Sequence, residues 1–353
     1  MGFAVERVES IEGFRELEAG WDLLAADVGH PFASHAWIDA WLTAFAADSR
    51  LAVYTAWDGD RLAAAIPLVD RGAVLAAAAN AHTPWFSPLG GPGPLAAAAD
   101  AVARSGSSHV VLPELALDDE STAAVTDALE RARSVVWVEA TRRAPVIDRE
   151  SLPGEYASHL SGDRRREVRR LRRRLEELGA VVTPLARPVD VDAELDRALA
   201  LEASGWKGRR GTAIADDPAT ERFYRVVARA FEERGELRLS SVTVDGELAA
   251  FDLCLVANGR LWIPKGSIDE RRRRLAPGIV LLVAEIEAAL ENGASGVELL
   301  GDADAYKLPF ATRTRRHGAL HGARLRPGPV ARIAYRRALR PRLRRMARAL
   351  RTR

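Results

Sequence analysis

The chain has 353 residues, 48% of them hydrophobic, with 27 glycines and 18 prolines, which suffices for a substantial core in two average domains and excludes a disordered chain. Its one cysteine, Cys254, excludes an internal disulfide framework, and the apolar run around it marks a buried packing residue. The net charge of +2 hides an asymmetry, because residues 327–353 hold ten arginines and no acid, so the body before them is net acidic.

Periodicity predicts a strand over Phe3–Glu9, a helix over Ile11–Val28 with Phe14, Leu17, Trp21 and Leu24 on one face, and a helix over Ser34–Ala46 with Ser34 as N-cap. Strands Leu51–Trp57 and Arg61–Val69 flank an Asp58-Gly59 turn as a hairpin. A third strand near Ala73–Ala78, a Pro/Gly-rich loop over His82–Pro94, helix Leu95–Arg104, strand His109–Leu112, helix Asp118–Arg133 and strand Ser134–Ala140 complete a first unit. After Pro153-Gly154 come helix Glu155–Leu178, strand Ala180–Ala186 and helices Val191–Ser204 and Pro218–Arg234. Strands Glu236–Val244, Glu247–Ala257 and Arg260–Ser267 follow, joined by Asp245-Gly246 and Asn258-Gly259 turns. An Arg-rich turn ending at Pro277-Gly278 opens helix Ile279–Glu291, then strand Gly296–Leu300, a short helix from Asp304 and a last strand Ala319–Leu325. The element order of the first unit recurs in the second, down to a Leu-Ala-Ala after each Asp-Gly turn, and points to duplication.

Four stretches carry candidate chemistry. Arg271–Gly278, RRRRLAPG, precedes a helix whose first N–H groups can receive a phosphate, with Arg273, Arg274, Ala276, Pro277 and Gly278 as candidate contacts; the alternative is a solvated basic turn. Asp252 and Lys265 lie inside strands, where an unpaired charge costs several kcal/mol. They form an ion pair with each other, or else Asp252 is a base or orienting carboxylate and Lys265 an anchor for an anionic substrate. In Leu201–Ile214, Glu202 is a second candidate base, Trp206 a stacking platform and Lys207 an anion ligand; the alternative is a helix end terminated by Gly205 and Gly208. In Gly301–Phe310, Tyr306 is either a packing residue or an acid, and Lys307 binds phosphate or a carboxylate or pairs with Asp302 or Asp304. Lys207, Lys265 and Lys307 are the only lysines among 51 basic residues, so each marks a place that wants a compact, titratable ammonium.

Two basic stretches remain. The helix around residues 164–174 interleaves eight arginines with the apolar stripe Val168, Leu171, Leu175 and Leu178, either a solvated face or a surface for RNA or anionic lipid. The tail reads as an interfacial helix on an anionic membrane or as a basic arm. The N-terminus shows no basic segment followed by an apolar stretch, and no run approaches the roughly 20 apolar residues of a spanning helix, so a cytoplasmic protein is expected, peripheral at the inner membrane face if the tail binds lipid. No residue is singled out as a metal ligand.

PFASHAWIDAWLTAF at Pro31–Phe45, the Arg-rich helix at 164–174, EASGWKGRRGTAI at 202–214, KGSIDE at 265–270 before APG at 276–278, and GDADAYK at 301–307 together resemble the bacterial two-domain acetyltransferases related to CelD and BcsL, of the GCN5-related N-acetyltransferase (GNAT) superfamily. The resemblance implies an α/β fold class with α+β mixed sheets in tandem acyl-CoA N-acyltransferase folds, related in architecture to the FemABX peptidoglycan aminoacyltransferases. Residues 1–150 would be a degenerate GNAT-like domain, 151–326 the catalytic one and 327–353 a basic tail, with the acceptor between the domains. Arg273-x-x-Ala276-x-Gly278 resembles the family's pyrophosphate loop, with Ala276 where the pattern has its first glycine. Acetyl-CoA or another acyl-CoA is the implied co-substrate, and Tyr306 sits where the family often places the acid that protonates the departing thiolate, a task a phenol suits. The implied reaction is acyl transfer to an amine or hydroxyl of a sugar, sugar nucleotide or cell-envelope or exopolysaccharide precursor. The alternatives are an aminoacyl-tRNA donor, with the arginines at 164–174 holding RNA, and a non-catalytic assembly module at the membrane surface.

Overall fold

Two tight turns set the registers of the central meander. Asp245-Gly246 and Asn258-Gly259 have positive φ at both positions, 54° and 77°, and 52° and 69°, the type I′ geometry whose twist matches the strands it joins. The computed structural model describes residues 2–47, 49–132 and 134–324; the basic tail lies outside the described residues.

In chain order the elements are β1 (Ala4–Val8), α1 (Ile11–Arg15), α2 (Glu18–Val28), α3 (His35–Phe45), β2 (Arg50–Asp58), β3 (Arg61–Asp70), β4 (Val74–Ala77), β5 (Leu89–Gly90), α4 (Pro92–Arg104), β6 (His109–Ala116), α5 (Glu120–Arg131) and β7 (Ser134–Asp148). Then come α6 (Tyr156–His159), α7 (Gly162–Glu176), β8 (Val181–Ala186), α8 (Val191–Ser204), α9 (Trp206–Arg209), α10 (Pro218–Glu233), β9 (Leu237–Val244), β10 (Glu247–Ala257), β11 (Arg260–Ile268), α11 (Pro277–Glu291), β12 (Gly296–Glu298) and β13 (Arg313–Arg324). Side-chain caps start the helices where the sequence places them: Ser34 accepts from the Trp37 N–H, Asp190 from Ala193 and Asp217 from Ala219 and Thr220.

The chain divides into two compact units. The first comprises Met1–Leu24, Ser49–Thr141 and the segment from Gly318. Its strands run in the order β1-β2-β3-β4-β6-β13-β7, an antiparallel meander from β1 to β4 followed by β6 parallel to β4. The second comprises Ala25–Asp48 and Arg142–His317, and its strands run β8-β9-β10-β11-β12-β7, again an antiparallel meander of four followed by a strand parallel to the fourth. The same topology twice, each time with a helix between the two parallel strands, is the structural form of the repeat in element order.

The division into units is not a single cut in the sequence. Strands β7 and β13 each contribute residues to both, and α3, although it precedes β2 in sequence, belongs to the second unit. There Trp37 meets Phe223 edge-on at 5.1 Å and 88°, Phe45 lies 5.3 Å from Phe223, and Phe32 meets Trp262 at 5.6 Å and 88°. Edge-to-face aromatic pairs of this kind add to area burial, so the aromatic spacing of Pro31–Phe45 is explained by packing on α10 and β11. Other departures are local. The expected helix Ile11–Val28 breaks between α1 and α2, and Glu155–Leu178 breaks at Leu160, after which Ser161 caps α7 by accepting from the Arg164 N–H. Residues after Asp304 form turns rather than an α-helix, ending in a 3-10 turn at Leu308–Phe310.

Candidate active site

Strand β11 is paired to β12 only over Arg260–Trp262, yet it runs on to Ile268. Beyond Trp262 the two part, and the space between them opens into a cavity of about 840 Å³ within the second unit, inside the size range of small-molecule sites. The opening begins at an irregularity where Ile263 and Pro264 together face Cys254, since Leu255 pairs with Trp262 and Leu253 with Lys265. Pro264 has no N–H to give to a ladder, so a bulge is the natural outcome there. Of the candidate residues, Glu202, Trp206, Lys207, Asp252, Lys265, Arg273, Ala276, Gly278, Tyr306 and Lys307 all line this one cavity, whereas Arg274 and Pro277 do not.

The arginine-rich turn sorts its four guanidiniums. Arg271 and Arg272 are both held by Asp269, at 3.0 Å each, with Glu247 as a further partner. Arg273 and Arg274 enter no ion pair among the described residues, and of the two only Arg273 reaches the cavity. The turn ends at Ala276, whose φ of 49° and ψ of 47° are left-handed, a conformation that costs an L-residue roughly 1–2 kcal/mol and glycine little. Pro277 then supplies the first helical position, where a missing N–H is no loss. A side chain on Gly278 would come within 2.9 Å of Ile268 Cγ2, so glycine lets the start of α11 close on the end of β11. Replacing Ala276 with glycine is expected to raise stability by about 1 kcal/mol, read as a higher urea midpoint at unchanged slope.

Glu202, at the end of α8, is 3% exposed. Its Oε1 receives Lys207 Nζ at 2.6 Å and Lys265 Nζ at 3.2 Å, and its Oε2 accepts the Ile214 N–H at 2.8 Å. Burial alone would raise its pKa, but the two ammonium groups and the Ile214 N–H reverse this and hold it below the usual carboxylate value. An ionised carboxylate with both oxygens engaged is a poor proton acceptor, so the geometry speaks against Glu202 as the second base and makes it the counter-ion of two lysines. Lys265 is lowered by burial and by Lys207, against the pull of Glu202, and lies 5.4 Å above the Tyr224 ring. Of the two alternatives for Asp252 and Lys265, the ion pair with each other is not formed. Lys265 pairs across the ladder with Leu253 and Asp252 with Gly266, and alternation sends neighbouring positions to opposite faces of a sheet.

Trp206 is half exposed; its backbone N–H donates to Glu270 Oε1 at 2.9 Å, and the Arg210 guanidinium covers its ring at 5.1 Å. Glu270 also takes Arg209, tying the loop after α8 to the arginine-rich turn. Lys307 donates to the carbonyls of Leu299 and Leu300 at 3.2 and 3.0 Å, so its ammonium closes the end of β12 rather than pairing with Asp302 or Asp304; burial lowers its pKa. Tyr306 is 52% exposed, and its hydroxyl is pushed up to about 12 by burial and by the charges of Asp304 and Asp252. Two residues that no strong sequence signal singles out bear on the site. Glu270 forms part of the wall, and Glu285, fully buried on α11, packs behind Asp252.

Residues 162–308 match the family described as Acetyltransferase (GNAT) domain. No curated protein matches the chain. Among solved structures, FemX is 10% identical, with a TM-score of 0.60 over 93% of this chain and 99% of its own. The C-terminal domain of a protein described as a lysylphosphatidylglycerol synthetase, from Agrobacterium fabrum, is 12% identical, with a TM-score of 0.56 over 91% of this chain and 95% of its own. A tandem GNAT protein from the clavulanic acid biosynthesis pathway is 14% identical, with a TM-score of 0.52 over 90% and 98%. At these identities the likeness is one of fold, and no helix among the described residues is long and apolar enough to cross a membrane. Residues 162–308 are therefore similar to the GNAT acetyltransferase domain, and the chain has a GNAT-like fold similar to that of FemX.

Proposed function

We propose that the chain is an acyltransferase that takes its acyl group from acyl-CoA and delivers it to an amine or hydroxyl on an anionic acceptor, of the sugar, sugar-nucleotide or cell-envelope and exopolysaccharide-precursor class. The second unit is the catalytic one in this reading. The observation that carries it is the parting of β11 from β12 beyond Trp262, which leaves one edge of a strand unpaired along a cavity headed by the start of α11. An amide-containing chain such as the pantetheine arm can add to a free strand edge, and a helix N-terminus with a neighbouring arginine suits a pyrophosphate. Arg273, Ala276 and Gly278 would hold the phosphates.

Chemistry runs by direct attack on the thioester in this reading. Asp252 takes the acceptor's proton and Tyr306 gives one to the departing thiolate. Lys207 and Lys265 share one carboxylate, so the cluster carries one positive charge in excess, which supports an anionic group on the acceptor. Acetyl-CoA is expected to bind with micromolar affinity in calorimetry, and Arg273→Ala to weaken it about tenfold, or about 1.4 kcal/mol. No heat with acetyl-CoA would sink the acyl-CoA reading.

An aminoacyl-tRNA donor is the second reading, and Arg169, Arg170 and Arg174 on α7, exposed and in no ion pair among the described residues, favour it. Against it, the other five arginines of that helix are engaged: Arg164 with Glu167, Arg166 with Asp163, Arg172 with Glu287, Arg173 with Glu177, and Arg165 with the Leu160 carbonyl. Strongly salt-dependent RNA binding without acetyl-CoA binding would favour this second donor.

A further inference from the structure

Glu285 lies on α11 with its side chain fully excluded from water, among the core residues Leu282, Val283 and Ile286. A buried carboxylate normally finds a cation or several donors. Here Oε1 accepts from Cys254 Sγ at 3.3 Å, the Ser240 hydroxyl is the other donor to the carboxyl, Oε2 has no partner among the described residues, and no arginine or lysine is among the groups acting on it. What faces it is the carboxyl of Asp252, in hydrogen-bonding contact. Two carboxylates cannot hydrogen-bond each other, since each only accepts; the contact requires a proton between them.

Asp252 connects this pair to the cavity. It stands two positions from Cys254 on β10, hence on the same face, toward α11. Across the ladder it meets Gly266, where a Cβ would lie 1.7 Å from Asp252 Oδ1 and 3.0 Å from its Cγ. The glycine leaves the room that this carboxyl fills. Asp252 itself lines the cavity.

We propose that Asp252 and Glu285 share one proton and act as a single base, with Asp252 the catalytic residue that meets the acceptor and Glu285 the positioning residue behind it. The inference rests on the acyl-transfer reading for its chemistry but not for its geometry. The acceptor X–H gives its proton to the pair, which passes from one shared proton to two. The X–C bond forms at the thioester carbon, the C–S bond breaks with its electron pair going to sulfur, and Tyr306 protonates the thiolate. The pair's extra proton then replaces the one Tyr306 gave, and the balance is X–H plus acyl thioester to acyl-X plus thiol.

The electrostatics agree. Burial pushes both carboxyls upward: Glu285 stands at about 7, although its hydrogen bonds with Ser240, Cys254 and Asp252 pull the other way, and Asp252 is raised further by the charge of Glu285. The groups facing it are Cys254 on β10, Ser240 on β9, Lys207 in α9 and Lys307 and Tyr306 after β12, of which the two lysines favour the ionised form. Near neutrality such a pair can both take and return a proton.

The test compares the native chain with Glu285→Gln, which is isosteric, and with Asp252→Asn. Difference infrared spectroscopy across pH 5–9 should show one protonated-carboxyl C=O band that titrates in the native chain and is lost in both variants. In the pH profile of kcat/KM, Glu285→Gln should move the acid limb up by about one pH unit, because an amide stabilises the Asp252 carboxylate less than the shared proton does, with acetyl-CoA affinity in calorimetry unchanged. Absence of the band, or an acid limb that stays in place in Glu285→Gln, overturns the proposal. A band that is present in a chain that does not bind acetyl-CoA leaves the shared proton standing and removes the acyl-CoA reading instead.

Discussion

Replacing Tyr306 with phenylalanine is expected to lower kcat for acyl transfer by about 10²–10⁴-fold, the range of a lost general acid, while acetyl-CoA affinity stays within about twofold in calorimetry. The phenol stands at the cavity with half its surface exposed, and burial together with the charges of Asp304 and Asp252 pushes it up to about 12. At neutral pH it is therefore always protonated. The thiolate that forms as the C–S bond breaks is the weaker base, so its protonation by Tyr306 is uphill and is completed as the carboxyl pair returns a proton to the phenolate. The selenoester analogue of acetyl-CoA discriminates roles, because a selenolate is a weaker base that leaves without protonation. The phenylalanine variant should recover most of its rate with the selenoester. An equal loss with both donors would make Tyr306 a packing or binding residue, as would a kcat that hardly changes.

The cavity was largely legible in the sequence because its residues sit in places with strong local signals. Arg273 and Gly278 flank a helix start, Asp252 and Lys265 interrupt apolar strands, and Tyr306 and Lys307 follow a short buried strand. Asp-Gly and Asn-Gly turns marked the meander because only residues tolerant of positive φ serve there. What pairs with what was not legible. Whether Asp252 meets Lys265 depends on a one-residue register, and the bulge at Ile263-Pro264 decides it through tertiary geometry. Glu285 left a faint signal. It lies three and four positions after Leu282 and Leu281, on the buried stripe of α11, whereas Glu287 lies off that stripe and pairs with Arg172. A helical wheel separates the two glutamates by face; composition does not. The aromatic face of Pro31–Phe45 announced burial, but nothing local says that Phe223 and Trp262, some two hundred residues on, are what bury it.

The charge cluster at Glu202 sets a second large effect. Glu202→Ala removes the one carboxylate that Lys207 and Lys265 share, along with the acceptor for the Ile214 N–H. Two ammonium groups are then left close together with no counter-ion, and breaking a buried pair in this way costs about 3–5 kcal/mol. The lower end is expected here, because both lysines border the cavity and keep some access to water. The loss should depend on pH in a definite sense. Glu202 is held below its ordinary value of 4.5, so its contribution is complete above that value and disappears as the pH falls through its folded-state pKa. The gap between native and variant in urea unfolding should thus be widest at neutral pH and shrink in acid. A gap that persists in acid would mean that Glu202 acts by packing rather than by charge. Added inorganic phosphate should stabilise the variant more than the native chain, since the bared ammonium groups become an anion site, and an equal response of both would count against Lys207 and Lys265 as the cations that meet an anionic acceptor.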